Sequence, residues 1–254
     1  MSVLKSLCIA FAMYSKIPVP QLAWKQEDMK YTLCFFPWVG AVIGALEVAW
    51  YELCGRIGLG RMAYAFVGAA IPIIVTGGFH IDGFMDTADA RSSYQDRDKK
   101  LDILKDSHIG AFAVIRLLLY YLLYLAALSE VKGIETAIVF GIGFVLSRGM
   151  SGVAAVTMRS ARNEGSLKKV SGAQAKRVVL VMLILQIALA LLAMLMVSPW
   201  TGLLVVVGMI GCALYYRRMA YREFGGVTGD TAGYFLQLCE LVIVIAAAAG
   251  GHII

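Results

Sequence analysis

Residues 178–216 read VVLVMLILQIALALLAMLMVSPWTGLLVVVGMIGCALYY, without a charged side chain in the run. Ser198-Pro199 divides it into two apolar stretches, 178–197 and 200–216. About 20 apolar residues are enough to carry a helix through the ~30 Å hydrocarbon layer of a bilayer. A helix also satisfies its own backbone there, which an irregular chain cannot do. Working outward, runs of the same kind occupy 33–54, 62–79, 110–128, 134–158 and 234–254. The chain of 254 residues is 60% hydrophobic and 16% charged. Soluble domains run near 45–50% and 25%. A soluble single-core domain, a disordered chain and a fibrous protein are thereby excluded. The pattern predicts an all-α polytopic membrane protein: a bundle of about seven transmembrane helices, forming one transmembrane domain over 1–254. Six spans plus a re-entrant segment is the alternative.

The scarce charge is sorted. Of 23 Lys and Arg residues, 18 fall in segments 1–32, 80–109, 159–177 and 217–233, and 3 in the alternate segments. The positive-inside rule predicts that the N-terminus and these loops face the cytoplasm, with the C-terminus outside, in the cytoplasmic (inner) membrane. The net charge of +6 then reflects orientation, and no nucleic-acid partner is expected. Cys8, Cys34, Cys54, Cys212 and Cys239 are scattered and read as small buried apolar residues. Residues 1–20 read as a retained amphipathic or half-inserted helix ended by Pro18 and Pro20. Pro37 suits the start of a span, and Pro72 is expected to kink the second one. Gly40 and Gly44 form a small-xxx-small pair suited to close helix contact.

The chemistry concentrates in 77–110, GGFHIDGFMDTADARSSYQDRDKKLDILKDSHIG, which holds seven of the nine aspartates and no glutamate. Asp82, Asp86 and Asp89 are spaced i, i+4, i+7, so a helix gathers them within roughly 60° of arc. Three carboxylates on one stripe repel unless a cation neutralises them. A divalent metal at the membrane surface is the economical solution. Gly77, Gly78 and Gly83 allow close backbone approach. Residues 96–107 read instead as an amphipathic, salt-bridged surface helix with Leu101 and Leu104 as its buried edge. Lys105, Asp106 and Ser107 combine a cation, an acceptor and a hydroxyl at the mouth of the third span, a set suited to phosphate and metal. His80 precedes the stripe as a weaker ligand candidate.

Other polar groups gather at the same end. Arg148 lies inside the fourth span, where an arginine must snorkel, be paired or bind an anion such as phosphate. Arg159, Arg162, Lys168 and Lys169 form a basic loop, part of it directed at lipid head groups. Residues 225–230, GGVTGD, suit an exposed anion-cradling turn ending in Thr228, Gly229 and Asp230. Glu240 is an intramembrane acid, functional by default, with pairing to Arg116 or Arg148 as the plainer reading.

Lys16–Pro20, Phe36–Gly40, GGFHIDGFMDTAD at 77–89, LKDSHIGAF at 104–112, SRG at 147–149 and GGVTGDTAG at 225–233 occur in that order. Together they resemble the cobalamin (5′-phosphate) synthase family, the adenosylcobinamide-GDP ribazoletransferases. The resemblance implies a membrane enzyme of the last steps of adenosylcobalamin assembly. It would join α-ribazole or its 5′-phosphate to adenosylcobinamide-GDP, release GMP and use Mg²⁺. By motif position the metal falls on Asp82, Asp86, Asp89 and Asp106. Asp82, Asp86 and Asp89 are the expected catalytic residues. His80, Lys105, Ser107, Arg148, Arg162, Thr228, Gly229, Asp230 and Glu240 are expected to contact substrate. Ala90, His108 and Gln237 depart from the family pattern. The expected partners are these small molecules and membrane lipid, with a homo-oligomer left open. Alternatives are a CDP-alcohol phosphotransferase acting on lipids, whose D-G-x-x-A-R spacing this chain lacks, and a cation transporter, whose midplane site and repeats it also lacks.

Overall fold

The computed structural model describes residues 3–20, 23–162 and 166–252. Among them every regular element is helical, apart from an isolated parallel bridge between Ser160 and Val227. Helix α1 (Val3–Tyr14) is followed by a 3-10 segment, Gln26–Phe35, that runs into α2 (Phe36–Ile57). Then come α3 (Arg61–Thr76), α4 (Phe79–Ser92), α5 (Arg97–Ile103), α6 (Ala111–Ser129) and α7 (Ile134–Thr157). Helices α8 (Ser166–Ala173), α9 (Lys176–Val197), α10 (Pro199–Met219) and α11 (Gly229–Gly250) complete the chain, with a π-helical turn, Ala220–Phe224, extending α10.

Six helical stretches among the described residues are long and apolar enough to cross a membrane: Glu27–Ile57, Ala111–Ser129, Ile134–Thr157, Lys176–Val197, Pro199–Phe224 and Gly229–Gly250. The protein is a polytopic helical membrane protein, as the apolar runs predict. The expected second span is different in kind, because α3 and α4 form a pair bent by 97°. At 1.5 Å per residue α3 is about 24 Å long, most of the hydrocarbon thickness. We therefore read α3 as the crossing half and α4 as turned along the membrane boundary. The expected kink at Pro72 is not where the chain turns. Helix α3 continues through Pro72, and the break falls at Gly77-Gly78, both left-handed with φ of 68° and 80°. Left-handed backbone costs a side-chain-bearing residue about 1–2 kcal/mol, which glycine avoids.

Helices α7 and α11 are the core spans, with 72% of their apolar windows buried against 22% for α6 and α9, which face lipid. Helix α2 packs along α7 through the glycine pair read from the sequence. A Cβ on Gly40 would strike the Phe144 carbonyl, and one on Gly44 the Gly141 carbonyl. Lipid is as apolar as leucine, so such close packing, not hydrophobic burial, holds spans together. Pro37 sits in the first turn of α2, where its missing N–H costs nothing. Cys34, Cys54, Cys212 and Cys239 are buried and free. Helix α1 buries Ile9, Ala10 and Tyr14, and the Lys16 N–H donates to Val75 O at 2.7 Å, tying the N-terminal segment to the end of α3.

Candidate active site

The site is built where α4 meets α11 and α6. Two missing side chains set the first contact. A Cβ at Gly83 would stand 2.9 Å from the Cα and carbonyl oxygen of Asp230, and one at Gly233 would stand 3.1 Å from His80 O. The backbones of α4 and α11 therefore nearly touch, which brings Asp230 beside the stripe of Asp82, Asp86 and Asp89. At the other end of the stripe, the Asp89 carboxylate rests against Gly110, the residue capping the N-terminus of α6. The partial positive charge of that helix end favours a carboxylate there.

Asp82 is exposed, and Asp86 and Asp89 are half-buried. Burial, followed by the charges of Asp82, Asp230 and Asp89, pushes the Asp86 carboxyl up to about 6. Such mutual repulsion is what a bound cation relieves. Among the described residues no three His, Cys, Asp or Glu side chains come together so as to hold a metal ion by themselves. Magnesium does not require such a cluster. It keeps several waters and takes one or two carboxylates together with substrate phosphates. Carboxylates of the Asp82, Asp86, Asp89 and Asp230 face, one or two at a time beside substrate oxygens, are donors of the hard-oxygen kind that ion takes.

Asp230 is positioned by a capping box. The Thr228 hydroxyl accepts from Thr231 N at 3.1 Å, and the Thr231 hydroxyl accepts from Thr228 N at 2.9 Å. The turn before it corrects the sequence reading, which expects it exposed. Residues 225–228 are buried and Gly229 and Asp230 half-buried. Val227 N donates to Arg159 O at 2.9 Å, and Ala161 N to Val227 O at 3.0 Å. Gly225 O accepts from Arg159 Nη2 at 3.0 Å. The Gly225 and Gly226 amides donate back to Tyr221 O and Ala220 O, so the turn's amides and carbonyls serve the π-helical turn and the 159–161 segment, and Thr228 is occupied by the cap. Arg162 is half-buried, donates to Leu101 O, and sets a positive charge against that of Asp230. The side chains of Lys168 and Lys169 lie outside the described residues.

The 105–108 loop stands apart. Lys105 pairs with Asp102 at 2.9 Å, and Ser107 is exposed. Asp106 accepts from His108 N at 3.0 Å and meets the His108 ring at 2.7 Å, contacts that hold its carboxyl below the ordinary range. No described contact joins Asp106 to the α4 stripe. As expected for 96–107, Leu101 and Leu104 form the buried edge, and the Asp96 carboxylate caps α5 through Lys99 N at 3.0 Å. His80 is buried, its ring 5.6 Å from that of Phe36 and 5.3 Å from Phe79, with no partner for Nε2 among the described residues. It lines a mainly apolar cleft shared with Tyr14, Gly229 and Gly233.

Arg148 and Glu240 are shut inside the bundle, 0% and 2% exposed, and pair with each other. Arg148 also donates to Ser147 Oγ at 3.0 Å, while its Nε and Nη2 have no partner among the described residues. Of the roles open to Arg148 in the sequence, the structure selects pairing; it neither snorkels nor meets a surface anion. Two features escape the sequence reading. Glu47 is buried in α2 with neither oxygen bonded among the described residues; an acid inside the 33–54 run was the available signal. Behind α4, Arg91 and Lys100 share Glu223, at 3.1 and 2.9 Å. No local spacing links those three positions.

Fold and site together define an integral membrane protein with a cation-suited carboxylate face at its loop-rich end. The profile of the Cobalamin-5-phosphate synthase family matches residues 6–248. An adenosylcobinamide-GDP ribazoletransferase of Lachnoclostridium phytofermentans is 42% identical over 254 residues, covering 99% of this chain and 96% of that one. Proteins of the same name from Clostridium perfringens and Listeria monocytogenes are 30% and 29% identical, covering 95% and 94% of this chain and 96% and 95% of theirs. No solved structure matches. The chain belongs to the Cobalamin-5-phosphate synthase family and is a transferase.

Proposed function

We propose that this protein joins α-ribazole, or its 5′-phosphate, to adenosylcobinamide-GDP and releases GMP, at the cytoplasmic face of the cell membrane. The observation that carries this reading is the meeting of Asp82, Asp86 and Asp89 with Asp230 across the Gly83 contact. Names of full-length relatives supply the substrates. The excess of Lys and Arg in the loops at this end supplies the orientation.

A ribose hydroxyl attacks the phosphorus that bears the cobinamide ester, the pyrophosphate P–O bond breaks, and GMP departs with the bridging oxygen. Asp82, Asp86, Asp89 and Asp230 would hold Mg²⁺, which when bound neutralises pyrophosphate charge. The remaining work belongs to the chain. The helix ends of α6 and α11 orient the carboxylates, one of which accepts the hydroxyl proton. Arg162 holds a phosphate oxygen beside Asp230. His80 and the apolar cleft around it wall off water on one side. Arg148 and Glu240 act from within the bundle, as a brace for α7 and α11 beneath the site.

The test is turnover of protein in liposomes supplied with α-ribazole, adenosylcobinamide-GDP and Mg²⁺, with a chelator as control. Product that requires the metal supports the proposal. Product formed equally with the chelator refutes the metal assignment, and turnover of a CDP-lipid in its place refutes the substrate assignment.

A further inference from the structure

The face of α4 turned away from the carboxylates borders a second cavity. Phe84 and Arg91 lie roughly 170° around the helix from the Asp82–Asp86–Asp89 stripe, Ala88 about 130° and Ser92 about 90°. With Tyr94, Tyr215 and Tyr234 they line a cavity of about 540 Å³. Four cations reach it, Arg91, Lys100, Arg116 and Arg222, against the single acid Glu223. That acid is fully used by Arg91 and Lys100. Arg91 is fixed further by the hydroxyls of Tyr215 and Tyr234, each accepting from Nη1 at 2.7 Å. Arg116 and Arg222 are exposed and pair with no described side chain.

The cavity opens toward lipid. Arg116 lies in the second turn of the spanning helix α6, and its neighbours one and two turns along the same stripe, Phe112, Leu119 and Leu123, are 55%, 48% and 56% exposed. Below Tyr234 the outward stripe of α11 continues through Leu238, Leu241 and Ile245, half-buried to exposed. An arginine at this depth, facing lipid without a protein anion, is costly. Its fork geometry matches a phosphate. Basic pockets between spanning helices are suited to anionic head groups.

We propose that this cavity seats the phosphodiester head group of an anionic phospholipid, with the acyl chains lying along the α6 and α11 stripes. The site is separate from the transfer reaction, since Arg91 and the reacting carboxylates lie on opposite faces of α4, and Lys100, Arg116 and Arg222 reach the cavity from α5, α6 and the π-helical turn after α10.

The experiment is native mass spectrometry of protein released from nanodiscs of phosphatidylglycerol and phosphatidylcholine mixed equally. The wild type is compared with Arg116→Gln, Arg222→Gln and the double variant. Wild type should retain phosphatidylglycerol over phosphatidylcholine, and the double variant should lose that retention at least tenfold with an unchanged melting midpoint. Equal retention by wild type and double variant overturns the proposal. So does displacement of the lipid by equimolar GMP, which would make the cavity a free-nucleotide site. Should the double variant not fold, photo-crosslinkable phosphatidylglycerol on wild type decides the matter: labelling of α6 and α10 near Arg116 and Tyr215 supports the site, and labelling elsewhere overturns it.

Discussion

Replacing Glu240 by Gln removes the counter-charge of a fully buried guanidinium. Arg148 is 0% exposed, and its other described acceptors, Ser147 Oγ at 3.0 Å and Phe144 O at 3.4 Å, are uncharged. Breaking one partner of such a pair costs about 3–5 kcal/mol, because the surviving charge stays buried. Removing both charges costs far less, often nothing, when the replacements fill the space. Glu240→Gln should therefore lose about 3–5 kcal/mol, and Arg148→Met combined with Glu240→Gln should recover at least ~2 kcal/mol of that. Denaturant unfolding in detergent micelles, followed by tryptophan fluorescence, measures Glu240→Gln, Arg148→Met and the double variant. The same preparations should show the double variant keeping substantial turnover, since a brace can be replaced by packing and a phosphate ligand cannot. A harmless Glu240→Gln, or a double variant as unstable as the single changes summed, would refute the pairing. A stable double variant without turnover would return Arg148 to the substrate.

Asp82→Asn, Asp86→Asn and Asp89→Asn should each lower turnover at least ~100-fold, the order expected for lost charge positioning at a reacting phosphate, while membrane insertion by carbonate extraction is unchanged. Near-normal turnover in two of the three would sink the stripe as the reacting site. Gly83→Ala places a methyl 2.9 Å from Asp230 Cα; overpacking of this kind costs about 1–3 kcal/mol. Because it separates α4 from Asp230, turnover should fall further than the melting midpoint suggests. Gly78→Ala meets open space but must hold φ near 80°, so it should cost only about 1–2 kcal/mol. Gly77→Ala, which also meets the Lys16 side chain, should cost more, and equal melting midpoints for the two would contradict the packing of Lys16 against the break between α3 and α4.

The spans were legible because bilayer thickness imposes one length on every crossing helix, and the run 178–216 announces two of them. The carboxylate stripe was legible because its period is local. The Gly40–Gly44 contact was readable for the same reason, although its partner carbonyls on α7 were not. Hydropathy alone placed the second span through residue 79 and could not show a right-angled break within it. The arrival of Asp230 at the stripe depends on Gly83 and Gly233, far apart in the chain, whose meaning lies in what they fail to touch. The GGVTGD turn misled for a related reason. Glycines suit ligand approach and backbone approach equally, and here the approaching group is the 159–161 backbone.

The Arg148–Glu240 pair spans 92 residues of sequence. During synthesis at roughly 5–20 residues per second, α7 would wait about 5–20 s between emerging and meeting its counter-charge. Over that interval the nascent bundle holds an unmatched arginine and lacks Asp230 as well. Helix α11 thus completes the electrostatic interior and the reacting face in one event. A ribosome that stalls before α11 leaves a product that is both inactive and marked, by its bare buried charge, as unfinished.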